Sequence, residues 1–181
     1  MGDLLVELLR MARECPYVVG RIHAVETVLG AGKPGGVAGI AKAYAEETHW
    51  GVRIATARAL GKVGTDAAIE ALVQCLSREA DPRVQQHLTM ACGHYRDPRI
   101  ADALRDWLDT PERPYVAQLH ALGALGNQRG SADFERLAAA AKSSGWWGWV
   151  RRGALAGLGK SRTRAAFDVL LQHVTESDDL V

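Results

Sequence analysis

Residues 49–77, HWGVRIATARALGKVGTDAAIEALVQCLS, decide the fold. The first half places Val52, Ala55, Ala59 and Leu60 on one side of a helix that runs to Gly61. The second half starts near Asp66 and spaces Ile69, Leu72, Val73 and Leu76 at helical intervals. A glycine-containing turn joins them. Neither short helix can bury its apolar stripe alone, so the unit needs copies of itself on either side.

The copies are present. A glycine closes the first helix of each unit: Gly30 in TVLG, Gly61 in RALG, Gly93 in MACG, Gly126 in GALG and Gly159 in AGLG, at steps of 31, 32, 33 and 33 residues. Val52, Val84 and Val150 precede their glycines by nine residues, and Val116 precedes its own by ten. Val37, Ile69, Ile100, Phe134 and Phe167 follow by seven or eight. The stretches VRIATARALGKVGTDAAIEALVQCL and VRRGALAGLGKSRTRAAFDVLL resemble the HEAT repeat in its short bacterial form. The resemblance implies an all-α fold, an α-solenoid with right-handed superhelical stacking. First helices would line the convex side and second helices the concave side.

The reading gives one HEAT-like domain over residues 1–181. A half repeat spans 3–14, repeats span 17–47, 49–77, 81–109, 113–142 and 146–175, and 176–181 is a tail. The half repeat is either a natural cap or the mark of a chain cut from a longer protein. Asp81-Pro82 and Asp97-Pro98 read as an N-cap followed by proline at the first helical position, and Ser131 reads as the cap of the second helix of unit four. GAGKPGG at 30–36 looks like a phosphate loop, but Pro34 follows Lys33 where that loop needs Ser or Thr, so it reads as an interhelical turn. The expected concave face is mixed in sign. It includes Glu70, Arg99, Asp102, Arg105, Asp106, Arg136, Arg164 and Asp168, which argues against a phosphate-tracking groove.

Composition bounds function. Lys plus Arg is 22 against 21 Asp plus Glu, a net of +1, so no long-range field for nucleic acid or an anionic membrane is implied. Hydrophobic residues make up 48% with 6% aromatic, which suits tightly stacked helices. Cys15, Cys75 and Cys92 have no C-x-x-C spacing. They point to a reducing, cytoplasmic setting, with Cys75 and Cys92 packed as small hydrophobes. No apolar run is long enough to span a bilayer, and the N-terminus lacks the features of a signal peptide.

No H-E-x-x-H or G-x-S-x-G occurs, and no two of the six histidines are three or four residues apart. Catalytic, cofactor and metal residues are therefore expected to be none, and the chain is expected not to be an enzyme by itself. Arg53, Arg83 and Arg151 open the first helices of units two, three and five and are expected to pair with acids in neighbouring turns. Trp50 and Trp107 are expected in the core. GWWGWVRRG, 145–153, clusters Trp146, Trp147 and Trp149, so either these indoles pack at the solenoid end or they form a docking surface. The expected interaction surface is Trp146, Trp147, Trp149 and Arg152, with Arg99, Asp102 and Arg105.

HWGVRIATARALGKVG and the last repeat also resemble the helical C-terminal domain of bacterial aminopeptidases of the aminopeptidase N type. That resemblance implies a non-catalytic domain that docks on a zinc-bearing catalytic domain and shapes peptide access. No catalytic residue carries over, because the family's H-E-x-x-H and G-x-M-E-N motifs are absent. The alternative is a free-standing adaptor that binds another protein.

Overall fold

The computed structural model describes residues 2–144 and 148–176. Within them the chain is all-helical, with eleven α-helices and no strand. α1 (Gly2–Glu14) stands alone. Five pairs follow: α2 (Val18–Gly30) with α3 (Pro34–Glu46), α4 (Trp50–Val63) with α5 (Asp66–Arg78), and α6 (Pro82–Cys92) with α7 (Pro98–Asp109). Next come α8 (Tyr115–Gln128) with α9 (Phe134–Ala141), and α10 (Trp149–Ser161) with α11 (Arg164–Glu176). First helices stack on first helices and second on second, which is the arrangement of a solenoid.

Local sequence sets the helix starts. Asp81 and Asp97 each accept a hydrogen bond, at 2.9 Å, from the backbone N–H two residues on, with Pro82 and Pro98 at the first helical position. Thr65 caps α5 through the Ala68 N–H. Ser131 does not cap. It begins a single 3₁₀ turn, Ser131–Asp133, and α9 starts after it. The Asp133 side chain is taken by Arg105 instead of by the helix end.

The glycines that mark the repeat are not all helix stops. Gly61, Gly126 and Gly159 lie inside α4, α8 and α10, and the left-handed turn of unit two falls at Gly64, φ 72°. Gly61 and Gly126 serve close approach. A β-carbon on Gly61 would lie 3.1 Å from the Ala91 β-carbon, and one on Gly126 would overlap the Gly157 backbone. α8 and α10 meet backbone to backbone through Gly126, Gly153 and Gly157.

This packing decides which side is concave. The first helices lie closer to their neighbours than the second helices do. A stack whose rows differ in spacing bends towards the tighter row. The concave face is therefore formed by α2, α4, α6, α8 and α10, the reverse of the expected assignment. The physical reason is where glycines face: Gly61, Gly126, Gly153 and Gly157 each point at the neighbouring first helix. Clefts of about 200 Å³ at α3/α5 and about 410 Å³ at α5/α7 lie between second helices.

Leu29, Leu60, Cys92, Leu125 and Leu158, each preceding a repeat glycine, are buried, as are Ile40, Leu72, Leu104 and Leu137 from the second helices. Each such leucine contributes about 1.5–3 kcal/mol relative to exposure. The core falls into two clusters. One runs from Ala12 to Leu125, and the other holds Leu122, Leu137, Ala141, Ala154, Leu158 and Ala166. Phe167 is 52% exposed, because α11 is the last described helix, and the Arg164 guanidinium covers its ring at 5.4 Å.

Candidate interaction surface

Between repeats the chain is tied by polar staples that recur with the repeat. Near the start of α2, α4, α6 and α8, one side chain reaches back to a backbone carbonyl five or six residues earlier. These are Arg21 to Cys15 at 2.9 Å, Arg53 to Glu47 at 3.0 Å, Gln85 to Glu79 at 2.8 Å and Gln118 to Arg113 at 2.7 Å. The Glu47 and Glu79 carboxylates complete this edge. Glu47 accepts from Arg21 at 2.8 Å. Glu79 accepts from the Tyr44 hydroxyl and lies 3.2 Å from Arg53. At the opposite edge, His94 and Asn127 donate to the carbonyls of Gly61 and Gly93, both at 3.0 Å. Tyr95 donates to the Leu60 carbonyl and accepts from the Gly64 N–H.

The expected interaction residues divide. Arg99, Asp102 and Arg105 sit on α7, on the convex side, and are used inside the chain. Arg99 pairs with Asp66, Glu70 and Asp97. Arg105 holds Asp133 at 2.7 and 2.9 Å and Asp102 at 2.6 Å. Asp133 is only 3% exposed, so Arg105 supplies its counter-charge across the α7–α9 gap. Arg136 makes a second bidentate bridge there, to Asp109. Trp149 and Arg152 open α10, with the guanidinium 5.1 Å from the ring. Trp146 and Trp147 lie outside the described residues.

Other expectations are sorted by the same geometry. Trp107 is 3% exposed at the floor of the α5/α7 cleft, under the Arg113 guanidinium at 4.8 Å. Trp50 is not core. It is 42% exposed, stacked on His49 and covered by Arg83 at 4.3 Å. Its place at the first residue of α4 puts it on the edge of the stack. Arg83 pairs with its own cap, Asp81, whose carboxyl that guanidinium draws down to about 2. Cys75 and Cys92 are buried, and burial pushes both thiols up to about 12.

The concave face carries a group that within-helix spacing did not reveal. His87 on α6 and His120 on α8 occupy equivalent places one repeat apart. Burial, then the charge of Arg58, holds the His87 imidazole below its ordinary value. Burial, His87 and Lys160 do the same to His120. Lys160 reaches over the flat surface of Gly123. Arg58, Lys62 and Lys160 are exposed and make no ion pair among the described residues. A recess of about 500 Å³ between α2 and α4 is lined by Glu26, Arg58 and Lys62. Among the described residues no three His, Cys, Asp or Glu side chains gather as a metal site, and no helix is long and apolar enough to cross a membrane.

Comparison with known proteins bears on the fold. No curated protein matches the chain. Among solved structures, human deoxyhypusine hydroxylase in complex with glycerol aligns with a TM-score of 0.52 at 16% identity, over 97% of this chain and 91% of that one. At that identity the likeness speaks for architecture alone. The HEAT repeats family matches residues 3–91, 37–122 and 69–147. With the stacked helix pairs, that coverage makes the chain a member of the HEAT-repeat family.

Proposed function

We propose that this chain is a non-catalytic HEAT-repeat scaffold that binds a protein partner along its concave face. The observation that carries the reading is a contrast between the two faces. On the convex side Arg99, Arg105, Arg136 and Arg164 are matched with carboxylates. On the concave side Arg58 and Lys160 flank His87 and His120, and Arg58 and Lys62 share a recess with Glu26, yet none of the three cations forms an ion pair among the described residues. Unpaired charge on a preformed hollow suits a partner that brings the acids. Panning a displayed peptide library on the immobilised chain tests this. Recovered peptides should bind about tenfold more weakly to the Arg58→Ala, Lys160→Ala double variant and equally well to Arg136→Ala. Peptides indifferent to the double variant, or no peptides at all, would overturn it.

A second reading makes the partner the catalytic domain of a zinc aminopeptidase. Leu4 and Val6 on α1 favour it, being 64% and 68% exposed at one end of the stack, where a neighbouring domain would cover them. The inner face weighs against it. A channel for peptide N-termini receives a positive charge, and Arg58, Lys62 and Lys160 would repel it. Mixing the chain with a purified catalytic domain of that family, followed by ultracentrifugation at high micromolar concentration, decides between them. A stable complex would favour the second reading, and its absence would remove it.

A further inference from the structure

Three residues past Gly93, Gly126 and Gly159 stand Arg96, Arg129 and Arg162, one per repeat, along the edge where first helices turn into second. All three are exposed. Arg96 donates to the Asn127 carbonyl at 3.1 Å, and none of the three has a carboxylate partner among the described residues.

The backbone makes this row unusual. Arg129 and Arg162 have φ of 58° and 56°, the left-handed region that favours glycine, and unit two places Gly64 at the same position with φ 72°. Glycine would satisfy the turn in units four and five as it does in unit two. The arginines lie at the C-terminal ends of α8 and α10, where the helix dipole favours a cation and offsets their crowding. Desolvation, then the charges of Arg96 and Arg162, holds the Arg129 guanidinium below its ordinary value. A recess of about 290 Å³, lined by Arg96, Asp97, Pro98, Ala101, Arg105 and Gln128, runs beside the row, and the Asp97 carboxylate in it is already paired with Arg99.

We infer that this edge binds an extended acidic segment of a protein partner. Stacked helices lie about 8–10 Å apart, so the row repeats at that interval. An extended chain in the polyproline II form has three residues per turn and rises about 3.1 Å per residue, so every third side chain returns to the same side about 9 Å on, and a carboxylate at each third position meets each guanidinium in turn. Duplex DNA charges recur about every 3.4 Å along each strand, far more densely than this row. The chain's net charge of +1 supplies no wider field to track them.

The test uses the full chain and two probes in fluorescence anisotropy at low and physiological salt. One is a labelled peptide of about twelve residues with glutamate at every third position and Pro or Ser between, which favours the three-residue turn. The other is a labelled single-stranded oligonucleotide of equal charge. The variant is Arg129→Gly with Arg162→Gly, which removes two charges while giving the left-handed turns the residue they favour. The peptide should bind, with salt weakening it, and the variant should bind about tenfold more weakly with a melting temperature no lower than the parent. Arg58→Ala with Lys160→Ala should leave this binding unchanged, so the edge and the concave face fail or succeed separately. Tighter binding of the oligonucleotide, no binding of the peptide, or peptide binding unmoved by the glycine substitutions would each overturn the inference.

Discussion

Gly153→Ala and Gly159→Ala put the same methyl group on the same helix, and the structure assigns them opposite effects. Gly153 lies inside α10, facing α8. A β-carbon there would sit 2.6 Å from both the Leu119 Cα and the Leu119 carbonyl oxygen. Carbon atoms meet comfortably at about 3.5–4.0 Å, so α10 would have to retreat by about 1 Å. The obstacle is backbone, which no rotamer change can move. Retreat would open the cluster around Leu122, Leu137, Ala154 and Leu158. Overpacking of this kind costs about 1–3 kcal/mol, against a gain of about 1 kcal/mol from replacing a helical glycine by alanine. The expected net loss is up to about 2 kcal/mol, or up to roughly 8 °C in melting temperature for a chain of this size. A β-carbon on Gly159 would meet nothing within 4 Å, so Gly159→Ala should stabilise by about 0.5–1 kcal/mol. Urea unfolding followed by circular dichroism, with hydrogen exchange to locate the loss in α8–α11, reads both. Equal effects in the two variants, or a Gly153→Ala protein more stable than the parent, would refute the backbone seam.

Three further outcomes follow from the polar groups. Burial holds the His87 and His120 imidazoles below their ordinary value, so the unfolded chain takes up protons first on acidification. Stability should be full above about pH 6.5 and fall as pH drops below it, and His87→Gln with His120→Gln should flatten that part of a urea-versus-pH series. Asp133→Asn removes the buried partner of the half-buried Arg105, and should cost about 2–3 kcal/mol in urea unfolding, more than the exposed Asp109→Asn, at about 0–1 kcal/mol. Cys75 and Cys92 should resist maleimide in the native protein while the half-buried Cys15 reacts, giving one adduct by mass spectrometry before denaturation and three after.

Helix positions were legible because each short helix carries its own start signal and apolar stripe. Asp81-Pro82 and Asp97-Pro98 need nothing from the rest of the chain to work as caps. Ser131 failed as a cap because a partner from another repeat intervened: Arg105 claims Asp133, and a 3₁₀ turn takes up the slack. The repeat glycines were legible as a period but not in their role. A glycine inside a helix reads as a stop along the chain, whereas here Gly61 and Gly126 meet the next repeat. The histidines show the same limit. Spacings of three and four test neighbours on one helix, but in a solenoid the residue one repeat away is equally near, and His87 and His120 are such a pair. The orientation of the curve was hidden for a related reason. It depends on how closely two rows of helices stack, and that turns on which glycines face the next repeat, such as Gly126 and Gly157, not on the share of small residues in either row.

Net charge is a sum, and this chain places its charges unevenly. Near-neutrality excludes a uniform field, yet the outer arginines are matched by acids such as Asp66, Asp109 and Asp133. Those acids stand on the convex side or in the seam behind it, and on the inner face Glu26 shares a recess with Arg58 and Lys62 without forming an ion pair. Arg58, Lys62 and Lys160 on the inner face, and Arg96, Arg129 and Arg162 along the turn edge, are left without such neutralisation among the described residues. A screening length of about 8 Å at physiological salt keeps this positive surface local. Such a surface recruits poorly from a distance but discriminates at contact, where an acidic segment gains a pairing and a basic one meets repulsion. That behaviour suits a scaffold that meets its partner at close range, and it is why the pairing of individual arginines, more than the total of 22 basic residues, decides what this chain can hold.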